Sequence, residues 1–148
     1  MKLQSFVIGG IIPSILLGTG TVLMKLSLKN GISLPIYLMI VGAVVFFYGT
    51  VANHLIGSKE LNFQSSFYAI CMGLSWATAI FCMSYGISVL KMPVSVIAPL
   101  TNSNALVAVI LSSIIFSEWM HLSLPKLIIG TVFVVVGATI VSTSVAAN

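Results

Sequence analysis

The densest run of side chains able to do chemistry is Thr101-Asn102-Ser103-Asn104, four hydrogen-bonding residues just after Pro99 inside an otherwise apolar stretch. A proline within a helix removes a backbone donor and bends the chain, leaving a carbonyl for water or a solute. Two carboxamides beside it offer donors and acceptors without charge, which suits a neutral or zwitterionic polar solute. The alternative is hydrogen bonding between helices, which needs no ligand. Thr101, Asn104, Ala108 and Ser112 recur at spacings that put them on one helical face. A second stripe, Gly10, Ser14, Gly18, Thr21 and Lys25, recurs at intervals of 4, 4, 3 and 4 and ends in a cation. With Pro13 and the glycines permitting a bend, this face either lines a polar cavity, with Lys25 meeting an anionic group, or lets helices approach closely while Lys25 reaches the interface. Thr78, Phe81 and Tyr85 share a third face, and Trp76 lies opposite, near the middle of its stretch. Tryptophan prefers membrane interfaces, so Trp76 either stacks on a ligand or fills space between helices.

Acid–base chemistry has few candidates. His54, Glu60, Glu118 and His121 are the acid–base candidates, and all fall near predicted helix ends or in loops. No paired carboxylates, metal-ligand spacing or nucleophile-plus-base arrangement accompanies them, so no enzyme, metal site or cofactor is expected. Glu118, at a helix boundary, reads as an ion-pair partner for a lysine. Glycine-rich phosphate loops are absent too, and no direct use of ATP is expected.

What positions these residues follows from the charge distribution. Of 148 residues 59% are apolar, and only eight are charged: six lysines, Glu60 and Glu118. A soluble domain charges about a quarter of its residues, so this chain cannot coat a water-facing surface. The mean hydropathy of +1.19 excludes disorder, and scattered lysines form no patch for nucleic acid. A helix needs about 20 mostly apolar residues to cross a hydrocarbon core. Charge-free stretches of 22, 29, 30, 26 and 22 residues run from Leu3 to Met24, Asn30 to Ser58, Leu61 to Leu90, Met92 to Ser117 and Leu127 to Asn148. Pro35, Pro93 and Pro125 stand near span starts, where a missing N–H does no harm. The predicted fold is an all-α polytopic membrane protein, a single domain over residues 1–148. Its five transmembrane helices fall at about 5–28, 34–56, 64–90, 93–117 and 123–144. The first apolar run is too long for the core of a cleaved signal and is retained as a helix. Cys71 and Cys82 share one apolar span and read as packing residues.

Five spans put Lys2, Lys59 and Lys126 on one side and Lys25, Lys29 and Lys91 on the other. Orientation is normally set by excess lysine and arginine on the cytoplasmic side, and here the tally is even. Either the chain inserts both ways up, so that two copies meet head to tail as a ten-helix inverted repeat, or the balance is a coincidence of small numbers. Glycine pairs seven apart, Gly42 with Gly49 and Gly130 with Gly137, align grooves for helix packing. The latter pair makes the fifth helix a candidate dimer contact. Ala69, Gly73 and Ala77 form another small-residue face.

The fourth and fifth spans carry a resemblance. Ala98-Pro99-Leu100-Thr101 and Asn104 to Leu111 are followed by Phe116-Ser117-Glu118, then by Leu124 to Gly130 and Val136-Gly137-Ala138. This resembles an EamA-type half of the drug/metabolite transporter superfamily, and the five-span layout matches one such half over essentially the whole chain. The resemblance implies alternating-access transport of a small polar metabolite or drug-like solute through a cavity between two inverted halves, in the inner or plasma membrane. Because this chain holds one half, it implies an antiparallel homodimer or a paired homologous half as partner, with membrane lipid and solute but no nucleic acid. Small multidrug exporters of the same superfamily exchange protons through a glutamate in the first helix. Here that helix holds no acid, so proton coupling is the weaker alternative. A non-transporting membrane subunit, docking through its glycine faces, is another.

Overall fold

The structure is a computed structural model and describes residues 4, 7–57, 62–116 and 123–143. Lys2, Lys59, Glu60, Ser117, Glu118, His121 and Ser144 lie outside the described residues. The described residues form helices, turns and bends and no strand. Helix α1 is Ile12–Lys29, preceded by a π-wound turn at Val7–Ile11; α2 is Leu34–Ile56 and α3 is Phe63–Ser88. They are followed by α4, Val94–Asn102, α5, Asn104–Ile115, and α6, Leu124–Thr143. Four stretches are long and apolar enough to cross a membrane: Val7–Lys29, Leu34–Ile56, Phe63–Ser88 and Val94–Ile115. The last helix, α6, is also apolar, over Pro125–Val141. This is the pattern of a multi-pass membrane protein.

Two predicted spans have a more complex backbone than a single α-helix. Pro13 stands in the first turn of α1, directly after the π-wound turn, where the missing proline donor coincides with the change of winding. The Ser14 hydroxyl donates to the Gly10 carbonyl at 2.8 Å. The fourth span, expected as one helix from 93 to 117, is two helices separated at Ser103. Pro99 remains inside α4, so the interruption is one turn further on than the proline. Its cause is the Thr-Asn-Ser-Asn sequence itself. These side chains compete with the backbone for hydrogen bonds. Ser103 Oγ lies 3.5 Å from the Pro99 carbonyl, while the Ser103 N–H turns to Leu100 O at 3.2 Å.

The chain divides into two compact units, 1–91 and 92–148. In the first, α1, α2 and α3 pack on one another. Their covered residues gather toward one end: Thr21, Met24, Ser27 and Leu28 on α1, Leu34, Tyr37, Leu38 and Val41 on α2, and Ile80, Ser84 and Ile87 on α3. The closest-held point is Ser84, which is 0% exposed; its Oγ donates to Met24 Sδ at 3.5 Å. Between α1 and α2 the turn passes through Gly31 at φ +94°, a left-handed conformation in which glycine meets no steric penalty. In the second unit α4 packs mainly on α6. Leu127, Thr131, Val135 and Ala138 form the covered face of α6 at helical spacing.

Little else is buried. Phe46, Phe47 and Tyr48, in the middle of α2, are 78%, 69% and 76% exposed. Apolar surface on that scale belongs against lipid or another protein, not water.

Candidate functional site

The site is the interruption of the fourth span. Nine residues of α4 precede Ser103 and twelve of α5 follow it, so the break falls near the middle of Val94–Ile115. Asn102 ends α4 and Asn104 begins α5, and both are exposed. Neither carboxamide has a hydrogen-bond partner among the described residues. Thr101 is half-buried, and its hydroxyl donates to the carbonyls of Ile97 and Ala98, both at 3.0 Å. Broken helices are tolerated at membrane depth where protein buries them or where they line a water-filled cavity.

The interruption also alters which side chains share a face. An unbroken helix would align Thr101, Asn104, Ala108 and Ser112. In the structure Thr101 and Ser112 are half-buried while Asn104 and Ala108 are exposed. The covered positions of α5 are Leu106, Val109, Ser112 and Ser113, a slip of about one residue caused by the tighter turn at Ser103.

The stripe on α1 is mostly uncovered by its own chain: Ser14, Gly18 and Lys25 are exposed, and only Gly10 and Thr21 are partly covered. The Thr21 hydroxyl donates to Leu17 O at 3.0 Å. On α3, Thr78 is exposed and donates to Leu74 O at 2.8 Å, and Tyr85 is also exposed. Trp76 is 38% exposed, and the ring pair among the described residues is Phe67 with Tyr68, not Trp76. Hydroxyls spent on the carbonyl one turn back keep acceptor capacity but no free donor. At the break in the fourth span, where the Thr101 and Ser103 hydroxyls are turned to carbonyls, the donors left open are the two carboxamides.

Gly130 and Gly137 adjoin the covered face of α6 without belonging to it. A methyl group added at either would meet nothing within 4 Å. The same is true of Gly42, Gly49 and Gly73, so these glycines serve no close helix approach within the described chain. The ion pair expected of Glu118 lies outside the described residues. Among the described residues no group of three or more His, Cys, Asp or Glu is arranged to hold a metal.

Sequence reasoning did not single out Ser84 and Met24, the tightest contact between α1 and α3. The signal was present: Ser84 lies seven residues after Ala77 and extends the Ala69, Gly73, Ala77 face by two turns. No family model, no curated protein and no solved structure matches this chain.

Proposed function

We propose that the chain is one half of a membrane carrier for a small polar solute, working by alternating access. The supporting observation is the mid-span interruption at Ser103, flanked by two carboxamides without partners among the described residues. Discontinuous helices with polar backbone near the midplane are a recurring basis for substrate sites in secondary transporters. In this reading α6 also crosses the bilayer, giving five spans, and the second half is an antiparallel copy or a homologous chain in the cell membrane. Even lysine numbers by side, uncovered apolar faces and the open space at Gly130 and Gly137 support the pairing. The resemblance to an EamA-type half points the same way. Asn102 and Asn104 then bind the solute, with Thr101 beside them as an acceptor.

The test is uptake of glucose, alanine and tetraethylammonium by vesicles containing only the purified chain. Saturable uptake of at least one probe, lost in Asn102→Ala/Asn104→Ala while the variant still inserts and melts like the parent, supports the reading. Absence of uptake for every probe, or uptake indifferent to both asparagines, favours a non-transporting subunit. Reporters fused to the C-terminus should appear on both sides of the membrane; one location only refutes the antiparallel homodimer.

A further inference from the structure

Among the described residues of the first unit, the packed end holds all three lysines. Helices α1 and α3 run the same way, because α2 returns between them through short connections. The Ser84 to Met24 contact fixes their register. Lys25 follows Met24 directly, Lys29 closes α1 about 6 Å further along the axis, and Lys91 follows the end of α3 at the same end. All three lysines are exposed, and no described residue is acidic.

Lys91 adds an independent observation. It occupies the left-handed region at φ +57°, where glycine would be unstrained and a side chain is not. Such strain persists where the surroundings hold it and marks a position that merits a functional hypothesis. Here the strained residue contributes the third cation of the group. Adjacent to Lys25 and Lys91 in the chain, Leu26, Val89 and Leu90 are 50%, 53% and 60% exposed. An anion that suits this surface therefore carries its charge next to hydrocarbon.

We propose that Lys25, Lys29 and Lys91 form a docking surface for the headgroup phosphate of an anionic phospholipid, with Leu26, Val89 and Leu90 against its acyl chains. Long lysine stems lie along apolar surface and raise their charge to headgroup level, and each lysine near an anionic membrane surface strengthens binding by about fivefold. The proposal does not depend on transport. It gives the two sides of the membrane unequal affinity for anionic lipid even though their lysine counts are equal.

The experiment is native mass spectrometry of the full-length chain in neutral detergent, titrated with phosphatidylglycerol or phosphatidylcholine. The parent should retain phosphatidylglycerol preferentially. The triple variant Lys25→Gln/Lys29→Gln/Lys91→Gln should lose about 100-fold of that preference, following the fivefold effect of each lysine. Lys2→Gln/Lys59→Gln/Lys126→Gln should keep it, and inorganic phosphate at millimolar concentration should not displace the lipid. Equal retention of the two lipids by the parent, equal losses in the two triple variants, or displacement by free phosphate would overturn the proposal. Circular dichroism monitors folding. If the first triple variant misfolds, Lys25→Gln and Lys29→Gln singly must each show the fivefold loss, and no change in either overturns the proposal as well.

Discussion

Replacing Ser103 by alanine should join α4 and α5 into one helix, stabilise the protein and slow transport. The Ser103 hydroxyl reaches the Pro99 carbonyl at 3.5 Å, the long limit for such a bond, so its loss costs little. Alanine is the better helix former by about 0.5 kcal/mol. It also frees the Pro99 carbonyl for the Ser103 N–H, which then leaves Leu100 O, 3.2 Å away, so one backbone bond replaces another with no net gain. The net gain is about 0.5 kcal/mol. If the solute requires the interrupted form, that form must be repopulated at the same cost, and uptake falls about twofold. Stability is read from unfolding of the reconstituted chain in a rising fraction of sodium dodecyl sulfate, and helix continuity from slower amide exchange at residues 103–106. A variant with slower exchange and higher stability but unchanged uptake would refute the link between the break and the solute site. A variant with neither gain would refute the hydroxyl's role in making the break.

Ser84→Leu should separate α1 from α3, because Ser84 is 0% exposed and has no room for a larger side chain; the expected loss is about 1–3 kcal/mol. Ser84→Ala, which removes only the bond to sulfur, should cost less than half as much in the same detergent titration. Lys91→Gly should be more stable than Lys91→Ala by about 1 kcal/mol. Both lack the ammonium group, so the difference isolates the left-handed backbone at φ +57°, and equal stabilities would deny the strain. Gly137→Leu meets open space in the chain, so the monomer should melt within about 0.5 kcal/mol of the parent, while crosslinked dimer in vesicles should fall sharply. Undiminished dimer would remove α6 from the interface.

Much of the helix layout is legible in one dimension because charges and prolines are intolerable in the same places that lipid makes costly. The second helix, expected at 34–56, is Leu34–Ile56, and the third, expected at 64–90, is Phe63–Ser88. Lys29 and Pro35 bracket one connection, and Lys91 and Pro93 bracket another. The fourth span was legible as a hydrophobic length but not as two helices. A charge map registers where a segment can sit in lipid, not whether a serine hydroxyl displaces a backbone amide from its carbonyl.

The amino-acid order alone determined that the chain is helical, apolar and punctuated at spans, because hydrophobic length and missing charge are properties of single segments. It also located Thr101, Asn102 and Asn104 as a polar cluster. Only the tertiary structure decided which polar groups remain open. Thr21 and Thr78 spend their donors on carbonyls within their own helices, whereas Asn102 and Asn104 find no such partner among the described residues. It likewise decided that Ser84 meets Met24 and so which turns of α1 and α3 lie side by side. Those outcomes depend on the register between helices, which is set by packing at Ser84 and by the turn at Gly31, and a register belongs to a pair of helices rather than to either sequence by itself.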